Sequence, residues 1–177
     1  MKKKEIVEEF TKEIMTNEKS SIISGIGIFG SVSRSSDFDI QNKDIDYKTD
    51  IDLFVLLDGI NPDLIKYIFR LRTKYNKLYN EELDITLFDI NVITYVCSIS
   101  PVTQILFLKL FEKIMWINKN KIVDDKISEF RNNIYNKSDL QELYNKYSEL
   151  GAYYALAKDM MNTIKKNALL DKYDADV

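Results

Sequence analysis

Short apolar runs separated by amphipathic stretches divide the first two thirds of the chain. Residues 22–29, 51–57 and 82–88 are strand-length runs rich in Ile, Leu, Val or Phe, and we predict a buried strand for each. Residues 113–117 predict a fourth, shorter strand. Before them, residues 2–17 repeat apolar side chains at helical spacing, which predicts an N-terminal helix.

Two local signals predict where further helices begin. Asn61-Pro62 and Ser100-Pro101 each place a helix-capping residue before a proline, which is favoured at the first helical position. The predicted order over residues 1–118 is therefore helix, strand, strand, helix, strand, helix, strand. This order is typical of the α+β class, with a small mixed β-sheet flanked by helices.

The pattern becomes purely helical in residues 119–177, which we predict to form a separate C-terminal helical region. Apolar residues from Leu140 to Ala168 recur at alternating steps of three and four, the spacing of a helix that buries one stripe. The stripe is typical of a helical hairpin or bundle within one chain. It is also consistent with a homodimer contact, but we prefer the packed hairpin because the preceding predicted helix offers a matching apolar face.

Composition excludes several kinds of chemistry. The chain contains no histidine, which rules out His-based triads and His-containing zinc sites. Cys97 is the only cysteine, so no internal disulfide can form. We interpret it and Trp116 as core residues. Tyrosines of the tail such as Tyr144 could stack on a base, but packing is the simpler interpretation.

Charge and hydropathy limit the partners. The net charge is −3, and the basic residues are scattered apart from Lys2-Lys3-Lys4 and a loose group between Lys113 and Lys126. We interpret these lysines as solvated surface and expect no long nucleic acid as a partner. No apolar run reaches the ~18 residues of a membrane span, and residues 1–20 lack the core of a signal peptide. We therefore expect a cytoplasmic protein without a membrane partner.

The candidate chemistry lies in three aspartates. Asp50 and Asp52 open the second predicted strand, and their spacing of two places both side chains on one side of it. Two adjacent carboxylates repel each other unless a divalent cation lies between them, and Mg²⁺ prefers such hard oxygen ligands. Asp84 lies in the third predicted strand. If that strand neighbours the second, the three carboxylates could hold one or two metal ions.

A candidate phosphate-binding segment precedes these aspartates. Gly30 permits close approach to the backbone, and the amide and hydroxyl of Ser31 can hold a phosphate. Arg34 could bind the same group through its forked donors. These three residues are therefore our candidates for nucleotide binding.

Gly30-Ser31, Asp50-x-Asp52 before an apolar strand, and the strand-borne Asp84 together resemble the DNA polymerase β-like nucleotidyltransferase superfamily. The resemblance covers roughly residues 20–118. It is greatest to small bacterial members, namely the minimal nucleotidyltransferases of toxin–antitoxin pairs and the aminoglycoside and lincosamide nucleotidyltransferases.

The resemblance implies that a nucleoside monophosphate moves from an NTP, with ATP favoured, to a hydroxyl group, releasing pyrophosphate. It assigns the triphosphate to Gly30 and Ser31, and Mg²⁺ to Asp50 and Asp52. It makes Asp84 the third carboxylate, which orients or deprotonates the acceptor hydroxyl.

The chain departs from the family pattern in the segment between Ser31 and Asp50, which is longer than usual. Asp44-x-Asp46 would fit the usual spacing better, but we prefer Asp50 and Asp52 because an apolar strand follows them. Residues 33–49 are then an insertion, either a lid or a disordered loop. Ser35 also stands where small members often have glycine.

The acceptor stays open between three hypotheses. It could be a small hydroxylated molecule, or it could be a protein hydroxyl, as for an antitoxin-type protein adenylyltransferase. The third hypothesis is a non-catalytic interaction protein that keeps the fold.

Overall fold

The computed structural model describes residues 3–30 and 50–146. A short 3-10 turn, Ser20–Ile22, precedes the first strand. The remaining elements, in chain order, are α1 (Lys3–Met15), β1 (Ile23–Phe29), β2 (Ile51–Leu57), α2 (Pro62–Tyr79), β3 (Leu83–Asp89), α3 (Ile90–Ile99), α4 (Pro101–Lys113), β4 (Met115–Lys119), α5 (Lys121–Tyr135) and α6 (Ser138–Lys146).

The strands form one mixed sheet in the order β3-β2-β1-β4. Strand β1 is antiparallel to both β2 and β4, whereas β2 and β3 are parallel. The parallel pair needs a crossover, which α2 supplies. This architecture confirms the predicted α+β class with a small mixed sheet flanked by helices.

The two middle strands, β1 and β2, are buried on both faces, which explains why they are nearly continuous apolar runs. Ile51, Leu53 and Val55 of β2 pack in the core that contains the apolar residues of α1 and α2. Phe54 and Leu56, which alternate with them, pack in a second core with residues of α3, α4 and α5. The alternation along β2 therefore assigns each of its side chains to one layer of helices.

Helix α5 belongs to the same core as the sheet. Val123, Phe130 and Ile134 are buried there, and the Phe130 ring stacks on that of Phe111. Leu140 and Leu143 of α6 pack against the edge of this core. The domain boundary at residue 118 stays a prediction. The tail from residue 147 lies outside the described residues, so the choice between a hairpin and a dimer also stays open.

Helix α3 has no counterpart in the sequence prediction. Its ten residues, INVITYVCSI, contain no charge and are rich in β-branched side chains, which are typical of strands. The cap predicted at Asn61 is confirmed, because its side chain accepts hydrogen bonds from the amides of Asp63 and Leu64. Ser100 precedes α4 as predicted, but its side chain makes no capping bond.

None of the described helices is long and apolar enough to cross a membrane.

Candidate active site

The two parallel strands begin at the same edge of the sheet, and their register pairs Asp52 with Asp84. Neighbouring strands lie about 4.8 Å apart, so these two residues are adjacent. Ile51 and Leu83, which precede them, face the core of α1 and α2. Asp52 and Asp84 therefore project to the opposite face, on which Phe54 and Phe88 stack with centroids 5.0 Å apart.

The two carboxylates differ in exposure. Asp52 is half-buried, whereas Asp84 is exposed. A half-buried carboxylate is partly dehydrated, and a second carboxylate beside it adds repulsion between like charges. A nearby cation would offset both effects. Asp84 is the one more accessible to a second molecule.

Asp50 lies directly before β2 and is exposed. The start of the strand is fixed, because the Ile51 amide donates a hydrogen bond of 2.8 Å to the carbonyl of Glu82. Alternation along an extended chain would place Asp50 on the same side as Asp52. The edge thus carries one carboxylate on each of two paired strands and a third just outside them.

Gly30 lies beside the Asp52 carboxylate at the end of β1. Phe29 is the register partner of Asp52, and Gly30 follows it with a φ of +80°, in the region that favours glycine. A Cβ atom at Gly30 would overlap Oδ2 of Asp52. The sequence predicts that another group lies close to the backbone at Gly30. Among the described residues, that group is the Asp52 carboxylate. Glycine is needed both for its backbone conformation and for this contact.

The other predicted nucleotide-binding residues, Ser31 and Arg34, lie outside the described residues. The same holds for Asp44 and Asp46, the alternative pair. Their assigned roles stay predictions.

Metal binding at this edge would need ligands beyond those that the described residues supply. Across residues 3–30 and 50–146, no three acidic or cysteine side chains form a group that could hold a metal ion. Asp52 and Asp84 supply hard oxygen donors of the kind Mg²⁺ uses, and Mg²⁺ commonly binds one or two carboxylates with waters and substrate phosphates. The pair therefore fits a metal whose remaining ligands include waters and substrate phosphates.

Tyr144 is explained by packing. Its ring lies under Lys109, with the ammonium nitrogen 3.7 Å from the ring centroid, and its hydroxyl donates to Glu112. Arg131 donates to the other oxygen of Glu112 at 2.8 Å. Burial raises the pKa of Tyr144, and the hydrogen bond to Glu112 raises it further. These contacts join α4, α5 and α6, as the packing interpretation predicted.

Cys97 is buried in the second core as predicted, whereas Trp116 is half-buried and packs against that core. Burial raises the pKa of the Cys97 thiol to about 12, so the group stays protonated at neutral pH. The Trp116 ring packs edge-on to Phe54 at a centroid distance of 6.1 Å. Neither side chain belongs to the carboxylate edge.

Comparisons with known proteins give limited similarity. No protein-family model and no curated protein sequence matches the chain. Two crystal structures of mutants of the toxin–antitoxin MntA–HpeT are similar, at 15% and 17% identity with TM-scores of 0.43 and 0.42. Each alignment covers 87% of this chain, and 98% and 97% of the respective other chain. Similarity this weak says nothing about activity.

Proposed function

We propose that this protein is a metal-dependent nucleotidyltransferase that transfers a nucleoside monophosphate, AMP in the simplest case, from an NTP to a hydroxyl group. The observation that supports this proposal best is the register between β2 and β3, which pairs Asp52 with Asp84. The close approach of Gly30 to the Asp52 carboxylate brings the end of β1 to the same edge of the sheet. The resemblance of these residues to the polymerase β-like pattern supports it independently.

In this proposal Asp50 and Asp52 hold Mg²⁺ and Asp84 orients the acceptor hydroxyl. Bound Mg²⁺ would neutralise phosphate charge and make the acceptor hydroxyl easier to deprotonate. The exposed Asp84 accepts a hydrogen bond from that hydroxyl. The acceptor oxygen then bonds to the α-phosphorus, the bond to the bridging oxygen breaks, pyrophosphate leaves, and the acceptor proton passes to Asp84 or solvent. Gly30, Ser31 and Arg34 bind the triphosphate.

Substitution of Asp52 by Asn tests the proposal. We expect Asp52→Asn to reduce AMP transfer at least ~100-fold. Residues that only hydrogen-bond to a metal ligand already contribute about 10–100-fold to metal affinity or activity, and a direct ligand should contribute more. Asp58→Asn is the matched control, because Asp58 follows the opposite end of β2 and accepts a hydrogen bond from Asn91. The assay is transfer of label from α-labelled ATP, with circular dichroism to verify folding. Near-normal transfer by Asp52→Asn would contradict the proposal.

A row of exposed apolar side chains favours a protein acceptor as the second candidate. Val92, Tyr95 and Ile99 on α3 are 45%, 67% and 65% exposed, and Val102 at the start of α4 is 36% exposed. Residues 90–108 contain no charged side chain, although 30% of the whole chain is charged. Neighbouring exposed apolar residues of this kind commonly mark protein interaction sites.

Transfer to different acceptors separates the two candidates. We expect label from ATP to reach the product of the adjacent gene and not a panel of aminoglycosides and lincosamides. Ile99→Lys should reduce that transfer and leave Mg-ATP affinity unchanged. Leu78→Lys is the control, since Leu78 is 62% exposed on α2, away from the row. If the protein instead transfers label to an antibiotic, and Ile99→Lys transfers it equally well, the small-molecule acceptor is favoured.

Calorimetry addresses the non-catalytic alternative. A protein that only keeps the fold would bind its partner but not Mg-ATP. Detectable heat of Mg-ATP binding, lost in Asp52→Asn, would exclude it.

A further inference from the structure

One peptide group at the start of β3 is held from both sides. Its carbonyl oxygen, that of Glu82, accepts a hydrogen bond of 2.8 Å from the amide of Ile51. Its N–H, that of Leu83, donates a hydrogen bond of 3.0 Å to Oδ1 of Asn76. A peptide group is planar, and its C=O and N–H point in opposite directions. Two partners on opposite sides therefore fix its orientation.

This peptide group lies next to the carboxylates in sequence. Ile51 is the residue between Asp50 and Asp52, and Leu83 directly precedes Asp84. The bond from Ile51 therefore joins the two strands at the level of the carboxylates. Asp84 is exposed, so few contacts hold its side chain, and its position depends on the backbone just before it.

Asn76 supplies the partner on the outer side of β3. Within residues 3–30 and 50–146, β3 ends the sheet and pairs with β2 alone. The Leu83 amide points away from β2, where a neighbouring strand would otherwise accept its hydrogen bond. Asn76 lies in the last turn of α2, which packs on the sheet through buried residues such as Ile68 and Leu71. The bond thus connects the edge strand to a helix that is itself anchored in the core.

We propose that Asn76 is a positioning residue for Asp84. Its side-chain oxygen holds the peptide group before Asp84 from the outer side, and this fixes the separation of Asp84 from Asp52 across the strand pair. The inference rests on the proposed function, in which Asp84 orients the acceptor hydroxyl. Asn76 acts through the backbone and contacts neither the nucleotide nor the acceptor.

The alternative is that Asn76 only stabilises the connection between α2 and β3. This connection turns sharply, because Asn80 after the helix has a φ of 52°. On that interpretation, substitution of Asn76 lowers the melting temperature, and transfer by the folded protein does not change. The two interpretations therefore predict different rates for variants of equal stability.

Four proteins test the proposal: wild type, Asn76→Ala, Asn76→Asp and Asn61→Ala. Asn61→Ala is the matched control, because it also removes an asparagine oxygen that accepts backbone amides of α2, but at the opposite end of that helix. Asn76→Asp keeps an oxygen acceptor and adds a negative charge in the last turn of the helix, where such a charge is unfavourable. We expect all three variants to melt below wild type, and only Asn76→Ala to lose the acceptor of the Leu83 amide.

The readouts are kcat for transfer from α-labelled ATP to the acceptor that wild type labels, and the Kd for Mg-ATP. A displacement of about 1 Å at a reacting site can cost ~100-fold in rate, and rotation of one peptide group should displace Asp84 by less. We therefore expect kcat to fall about tenfold in Asn76→Ala, with the Kd for Mg-ATP unchanged because Asp50 and Asp52 hold the metal. Asn76→Asp should retain most of the wild-type kcat despite its lower melting temperature, and Asn61→Ala should match wild type.

Hydrogen exchange of the Leu83 amide, followed by NMR, verifies the bond directly. We expect the amide to be protected in wild type and Asn76→Asp and to exchange faster in Asn76→Ala. Rapid exchange in wild type would overturn the inference, because the bond would then not persist in solution.

Failure of this inference differs from failure of the proposed function. If wild type transfers no label to any acceptor, the proposed function is wrong and Asp84 has no acceptor to orient. If wild type transfers label and Asn76→Ala has the same kcat, only the role of Asn76 is overturned. An equal loss of kcat in Asn61→Ala would also overturn it, because the effect would then follow stability and not the position of Asp84.

Discussion

Replacing Gly30 with alanine would disturb the carboxylate edge without changing any charge. Gly30 has a φ of +80°, and a Cβ atom there would overlap Oδ2 of Asp52. The left-handed conformation alone costs an L-residue about 1–2 kcal/mol. The overlap must be relieved in addition, either by rotation of the Asp52 side chain or by a shift of the backbone after β1.

Gly59→Ala is a matched control for this experiment. Gly59 also has a positive φ, +95°, but no atom lies within 4 Å of the position its Cβ would occupy. It therefore carries the backbone cost of the left-handed conformation without the contact. The difference between the two variants isolates the effect of displacing Asp52.

We expect both variants to lose about 1–2 kcal/mol of unfolding free energy from the backbone, with an additional loss in Gly30→Ala. AMP transfer should fall roughly 100-fold in Gly30→Ala, the cost of a misplacement of about 1 Å at a reacting site, and should not change in Gly59→Ala. Urea unfolding measures the first quantity and transfer from α-labelled ATP the second. Equal activity in the two variants would refute the view that Gly30 positions Asp52.

Three further predictions concern the fold. Phe54→Ala should lower the unfolding free energy by about 3–5 kcal/mol in urea, because the ring is fully buried and stacks on Phe88. Asn61→Ala should cost about 1 kcal/mol of unfolding free energy through the lost cap, whereas Ser100→Ala, which removes no capping bond, should change it by less. Cys97, with its pKa raised to about 12 by burial, should resist iodoacetamide at pH 8 and react only after unfolding, as followed by mass spectrometry.

The positions of β1 and β2 could be predicted from the sequence because these two strands are buried on both faces. Residues 51–57 were predicted as a strand, and β2 spans Ile51–Leu57. Helix α3 could not be predicted by the same reasoning. It packs one side on the second core but exposes apolar residues such as Tyr95 and Ile99 on the other, so its sequence has no charged face. A helix whose outer face is apolar resembles a buried strand when only the sequence is considered.

The candidate site depends on contacts between residues distant in sequence. The spacing of Asp50 and Asp52 could be interpreted locally, but the approach of Asp84 depends on β3 lying beside β2 and parallel to it, and strand order does not follow from periodicity. The contact between Gly30 and Asp52 depends on the β1–β2 register. This register could not be predicted, because a long segment of sequence separates the two strands. Each residue type was visible in the sequence, but its neighbours were determined by the order of the strands, so the site is a consequence of topology as much as of motif.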